Sequence, residues 1–364
     1  MTTVFIKDDL RASVEAASGG LQTVLYTALG QPTFMNVIPQ FLLEDVDAGM
    51  GSGVHPAFIV GGVAKSEIFV GTYQGIVKNG EMLSLPGVDP TTSVNFDQAV
   101  AYARASGVGH HCMTNAEFAA LALWCYKNGT MPRGNTNYGK SSDSAWETAR
   151  RIDGLAPGLT SGTPRTLTGS GPASWRHNNL PSGISDLNGN IWEWTPGMRI
   201  VGGEIQIIAD NNAALLSTDH GATSAAWQAI NGATGALMTP TFTGTIAGGD
   251  YVATTANSVR YAAPGTAAYS LVRASGSSFE GMTNPGTTPV ADAALQVLKK
   301  HGLFPVAATG LGGDGFWSTL TGEMLPIRGG GWDHAALGGV FALNLGYARS
   351  YAYSGVGFRP AFVA

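Results

Sequence analysis

Charge is scarce in this chain. Of its 364 residues only 12% are Asp, Glu, Lys or Arg, against roughly 25% in an average soluble domain. The formal net charge is −5 and no run of Lys and Arg exists. The electrostatic footprint of a nucleic-acid-binding protein is therefore missing, and no nucleic-acid partner is expected. No stretch of about 18 apolar residues is present, so membrane insertion is not expected. The opening Met1-Thr-Thr-Val-Phe-Ile-Lys has no basic region followed by an apolar one, so no secretory signal is expected. Cysteine is scarce too. Cys112 and Cys125 are too few for a disulfide framework, and the plain reading is two buried thiols.

Glycine, by contrast, is abundant, with 51 residues. A Gly-rich, weakly charged chain implies many turns and irregular segments rather than a helical bundle. The expected fold class is α+β, with short mixed sheets, two or three helices, long loops and one insertion. Residues 1–50 form an opening segment with a short helix from Asp8 and strands at Gln22–Tyr26 and from Phe34. The Gly49-Met-Gly-Ser-Gly stretch is a natural boundary. Ala57–Val60 and Glu67–Tyr73 read as a hairpin around Gly61-Gly62. Asn95 is placed to cap a helix running to Ala105. Thr114-Asn-Ala-Glu117 fits a capping box, with Phe118, Leu121, Ala122 and Cys125 on one helical face. Residues 128–184 are loop-like, 211–285 read as an insertion, and Val290–His301 as a helix with a basic C-terminal end.

Three segments resemble the formylglycine-generating-enzyme family. Met113-Thr-Asn-Ala-Glu-Phe-Ala is similar to that family's Leu-Pro-Thr-Glu-Ala-Glu-Trp-Glu helix start. Asp186-Leu-Asn-Gly-Asn-Ile-Trp-Glu-Trp is similar to its Gly-Asn-Val-Trp-Glu-Trp. Arg328-Gly-Gly-Gly-Trp332, with Gly357-Phe-Arg-Pro360 downstream, is similar to its Arg-Gly-Gly-Ser-Trp and Gly-Phe-Arg. Order and spacing agree over residues 55–364 apart from the insertion. The resemblance implies a C-type lectin fold of the formylglycine-generating-enzyme-like subtype over residues 51–364. Read from the residues alone, Trp192 and Trp194 share one face of a strand, and core packing accounts for them. Arg328 and Arg359 sit among Gly and Pro in turns, where a guanidinium bonds loop carbonyls.

The resemblance also implies a calcium ion held by the side chains of Asp186 and Glu193 and the backbone carbonyls of Gly189 and Ile191. An all-oxygen set suits such a hard cation. The alternative is that Asp186 caps a turn and Glu193 pairs with an arginine. The oxidative enzymes of the family use a cysteine pair near the C-terminal motif, and residues 309–364 hold no Cys. Of the histidines only His110 and His111 are close, and adjacent strand residues point to opposite faces. A catalytic role is therefore not expected. The competing readings are an oxidoreductase of that superfamily and a virion structural protein with an invariant tail.

The tail from Arg328 to Ala361 resembles the variable region of proteins diversified by retroelements. Its matched frame is Arg328-Gly-Gly, Trp332, residues 339–343, Leu345, residues 348–350 and residues 357–361. Between these lie Gly331, Asp333, His334, Leu337, Asn344, Gly346, Tyr347, Tyr351, Tyr353, Ser354 and Gly355. Adenine mutagenesis of AAC-type codons cannot produce Gln, Glu, Lys, Met or Trp, and none of the eleven positions holds one. Tyr, Gly, Ser and Asn are what adaptable binding loops use. The resemblance implies a receptor-binding protein of a phage tail tip or fibre, located in the virion. Its implied partner is a cell-surface protein or glycan of a target cell, and homotrimers occur among its relatives.

Overall fold

The computed structural model describes residues 8–245, 251–263, 267–273 and 278–364. It is mixed α+β with several small sheets. Five α-helices occur among the described residues, more than the two or three expected: α1 (Asp9–Ser18), α2 (Leu43–Val46), α3 (Phe96–Ala105), α4 (Asn115–Asn128) and α5 (Asp292–Lys300). The helices α1, α3, α4 and α5 answer the readings at Asp8, Asn95, Thr114 and Val290, and the single-turn α2 is the one not read from the sequence.

Two helices start where their side chains dictate. Asn95 and Gln98 close a reciprocal capping box on α3, whose Phe96, Ala99, Val100 and Ala103 are buried at helical spacing. Thr114 and Glu117 do the same for α4. That helix is buried on nearly every side from Asn115 to Cys125 and ends at Gly129, whose φ of 65° suits glycine. Residues 129–191 contain no α-helix or strand, only the short 3-10 turn Ala173–Trp175 and isolated bridges.

One antiparallel sheet runs in the order Gln22–Tyr26, Pro32–Pro39, Glu67–Gly71, Pro360–Phe362, His110–Cys112. Hydrogen bonding thus crosses position 50, and the C-terminal strand lies inside this sheet. The hairpin expected between residues 57–60 and 67–73 is different. Ile59–Val60 turns through Gly61 and Gly62, both at positive φ, onto Val63–Ala64. That two-residue turn leaves Glu67–Gly71 free to join the larger sheet.

The second sheet runs Leu237–Met238, Trp227–Ile230, Glu204–Ile208, Met198–Val201, Glu323–Gly329, Gly339–Tyr347, Phe316–Ser318. Trp192–Trp194 joins it between Glu323–Gly329 and Val356–Gly357. The insertion therefore extends this sheet through Trp227–Ile230. Residues 246–250, 264–266 and 274–277 of the insertion, and residues 1–7 of the opening segment, lie outside the described residues.

Gly339–Tyr347 is an interior strand. Its Phe341, Leu343 and Leu345 enter the main core beside α4, while Ala342 packs on a smaller cluster with Trp192, Trp194, Leu325, Ile327, Val356 and Phe358. The alternation of strand side chains thus ties the tail to two cores at once.

Candidate binding surface

The eleven tail positions divide by exposure. Asp333, Leu337, Tyr353 and Ser354 are exposed. His334, Gly346, Tyr347 and Tyr351 are half-buried, and Gly331, Asn344 and Gly355 are buried. The frame around them is core: Arg328, Ala342, Leu343, Leu345, Phe358, Arg359 and Ala361 are completely buried. Only Ala348, Arg349 and Ser350 of the frame reach the surface.

Several of these side chains touch. Tyr347 and Tyr351 stack with ring centroids 3.9 Å apart and planes 15° from parallel, and Tyr353 continues the stack 6.2 Å from Tyr351. Burial and the neighbouring Tyr347 push the Tyr351 hydroxyl above its usual range. Asp333 and His334 pair at 3.0 Å, and that hydrogen bond holds the Asp333 carboxyl below its ordinary value. The His334 ring meets Trp192 at 4.9 Å and Trp317 at 5.8 Å, edge to face. Trp317 is the register partner of Asn344, and with Tyr347 and Tyr351 it packs on the apolar cluster that contains Trp192. Asn344 accepts the Gly346 N–H. Leu337 and Ser354 contribute backbone carbonyls, accepting from Gly315 N–H and the Arg165 guanidinium.

The loop carrying the tyrosines is held by its backbone and by one frame side chain. Ser93 N–H donates to the Tyr353 carbonyl, Phe96 N–H to the Arg349 carbonyl, and Trp192 N–H to the Gly355 carbonyl. The Arg349 guanidinium bonds Glu323 at 2.9 and 3.1 Å and Asp97 at 2.7 Å, and lies over the Phe96 ring. None of these bonds depends on the side chains at 351, 353 or 354. Beside the loop lies a cleft of about 490 Å³, lined by Asn95, Asp97, Glu323, Met324 and Arg349 among others.

The glycines separate the same way. A Cβ on Gly339 would meet the Asp314 carboxylate at 2.0 Å, and one on Gly357 the Thr91 carbonyl at 2.4 Å. Gly329 and Gly330 sit at φ of 93° and 89°, with the Leu187 carbonyl and Gly338 Cα close by. These frame positions are closed to any side chain. At Gly331, Gly346 and Gly355 the nearest atoms are 3.0–3.3 Å away, φ is not positive, and every near neighbour is a side chain. Those neighbours are His334, Trp192, Asp333, Asn344, Thr319, Trp332 and Tyr353, mostly members of the same surface.

No protein-family model and no curated protein matches the chain.

The residues that the resemblance assigns to calcium are brought together, around a different centre. The Gln74 side-chain N–H2 lies 3.1 Å from the Asp186 carbonyl, 3.5 Å from Gly189, 3.0 Å from Ile191 and 3.0 Å from Glu193 Oε1. The Asp186 carboxylate points away and accepts the Gly169 N–H. Glu193 is bound by Arg359 at 2.6 and 2.9 Å. Burial pushes the Glu193 carboxyl above its usual range, and the Arg359 cation works against that rise. With Gln74 in this position the set does not fit a cation. The alternative reading, a turn held by Asp186 and an ion pair on Glu193, describes the geometry. Arg328 and Arg359 bond backbone carbonyls as expected, though Arg328 lies in the strand Glu323–Gly329 and not in a turn: His301 and Gly302 for Arg328, Gly71, Ser185 and Asp186 for Arg359.

Sequence reasoning missed Gln74 and Trp317. Gln74 carries no local signal, because its partners lie more than a hundred residues downstream. Trp317 did leave one: Phe316 and Trp317 alternate next to Gly315, where a Cβ would strike the indole at 2.1 Å. That glycine leaves room for the indole.

Proposed function

We propose that this chain is a ligand-binding protein whose C-terminal tail presents a surface diversified by a retroelement, on a C-type lectin fold of the formylglycine-generating-enzyme-like subtype. The observation that carries this reading is the division of the tail glycines. Gly331, Gly346 and Gly355 meet only side-chain atoms, none nearer than 3.0 Å, whereas Gly339 and Gly357 abut a buried carboxylate and backbone within 2.4 Å. A surface built to vary needs that division: sites that accept many residues, set in a frame that accepts none.

The tyrosine stack supports binding directly. The stack holds three rings against one another, so they are ordered before a partner arrives. Preorganised tyrosines bury large area at low entropic cost. The partner proposed is a protein or glycan on a target cell, and the setting a phage tail tip or fibre. Many copies in the virion, as homotrimers or joined to a fibre, raise modest affinity per site.

Binding is favoured over thiol oxidation because both cysteines are free, buried and apart. The Cys112 thiol donates to the Trp194 carbonyl and the Cys125 thiol to that of His177. Burial pushes the Cys125 thiol up to about 12 and raises that of Cys112 as well, which starves both of thiolate.

A display library tests the reading. Randomising the eleven positions with codons ending in C or T leaves most members folded and yields binders to new targets. Randomising Val340, Ala342, Leu343, Leu345 and Phe358 instead unfolds most members. Equal losses from the two libraries would refute the proposal.

A further inference from the structure

We propose that the Gln74 side-chain amide stands in for a divalent cation as the organising centre of the turn from Asp186 to Glu193, and that shortening this side chain opens a calcium site. Four oxygens surround Gln74 Nε2 at 3.0–3.5 Å: three backbone carbonyls and one carboxylate. An amide nitrogen has two protons to give. Four converging oxygens exceed what two N–H groups satisfy one to one, and all-oxygen convergence is the coordination pattern of a hard cation.

The orientation of the amide follows from its other end. Gln74 Oε1 accepts from Asn190 Nδ2 at 2.8 Å, and Asn190 also donates to the Thr166 carbonyl. Reversing the amide would set its oxygen against four oxygens and its nitrogen against another N–H donor. Gln74 is completely buried, as are Asn190 and nearly all of Glu193. Asp186 and Asn190 adopt φ of 58° and 64°, and Gly189 76°, so the turn is a tight one.

Charge explains why an amide suffices. Arg359 already neutralises Glu193 and also donates to the Asp186 carbonyl. A further double positive charge would lack compensation, whereas a neutral donor needs none. Gln74→Asp supplies one of the two missing negative charges. It withdraws the side chain by one methylene and adds a second carboxylate facing the three carbonyls and Glu193. Three carbonyls, one Glu193 oxygen and a bidentate new carboxylate would then offer six oxygens, the low end of calcium's ligand count.

Thermal melting of the full chain, in EDTA and in millimolar calcium, tests the proposal. The unmodified chain melts at the same temperature in both. Q74D melts several degrees lower in EDTA and recovers most of that loss in calcium, because an ion that binds only the folded state stabilises it. If Q74D folds only when calcium is present, the proposal stands equally. A calcium-dependent shift in the unmodified chain overturns it, because the position would then belong to an ion. So does Q74D that is indifferent to calcium or unfolded in both conditions. Q74A separates loss of the amide from gain of charge: it melts lower than the unmodified chain, and calcium restores less than in Q74D.

Discussion

At the scale of single residues, the tail is a set of permissions and prohibitions set by neighbouring atoms. Gly339 lies against the buried Asp314, whose carboxylate accepts the Phe341 N–H at 2.7 Å. Gly339→Ala forces that carboxylate off its partner and costs about 1–3 kcal/mol. Gly346→Ser meets only Asn344 Oδ1 and Thr319 Oγ1 and stays within about 0.5 kcal/mol of the parent. Urea midpoints of the two variants check the contrast, and equal losses would contradict it. The carbonyl bonds of Arg328 and Arg359 were legible at this scale, but the setting of Arg328 was not, since it lies in the strand Glu323–Gly329 and not in a turn. Gln74 was not, because a glutamine in a loop declares no partner until the chain has folded.

At the scale of elements, helix starts are written locally and sheet pairings are not. Thr114 accepts the Glu117 N–H and donates to Asn211 Oδ1. Thr114→Ala removes the cap and strands a buried acceptor, so a loss of about 2 kcal/mol is expected in chemical denaturation. The capping boxes at Asn95 and Thr114 were readable because all their atoms lie within one turn. The pairing of Glu67–Gly71 with Pro360–Phe362 was not, because hydrophobic alternation marks a strand without naming its neighbour. The loop from Ala348 to Gly355 is itself an element, and Arg349 anchors it by ion pairs to Asp97 and Glu323. Arg349→Ala is expected to speed amide hydrogen exchange at residues 348–355 and leave α4 unchanged. Unaltered exchange in the loop would show that its backbone bonds hold it alone.

At the scale of the whole molecule, buried histidines set the response to acid. Burial lowers His55 to about 3, His177 to about 4 and His220 to about 3, and it also lowers His110 and His301. The unfolded chain takes up these protons near pH 6.5 and the folded chain does not, so stability falls as pH drops from about 6.5 toward 4. Each such histidine contributes a slope of about 1.4 kcal/mol per pH unit. His111 runs the other way: burial alone would lower it, but the Glu117 carboxylate at 2.8 Å outweighs that and raises it. Its contribution is present below pH 6.5 and fades as pH rises through its raised value. Urea midpoints between pH 8 and 5 should therefore fall on acidification well above the carboxylate range, and a flat profile would contradict these placements. The α+β class and the long loop region were legible from glycine content and motif order. The insertion's pairing with Glu204–Ile208 was not, since its Ala, Thr, Gly and Ser give neither period.

The central claim is that the tail surface is built to vary, and sequencing the 3′ end of this gene across many clones of one population tests it most directly. Substitutions are expected to concentrate at the codons for Asp333, His334, Tyr347, Tyr351, Tyr353 and their companion positions, with Trp332, Gly339, Phe341 and Arg359 fixed. A uniform tail, or changes spread evenly over frame and surface, would contradict it.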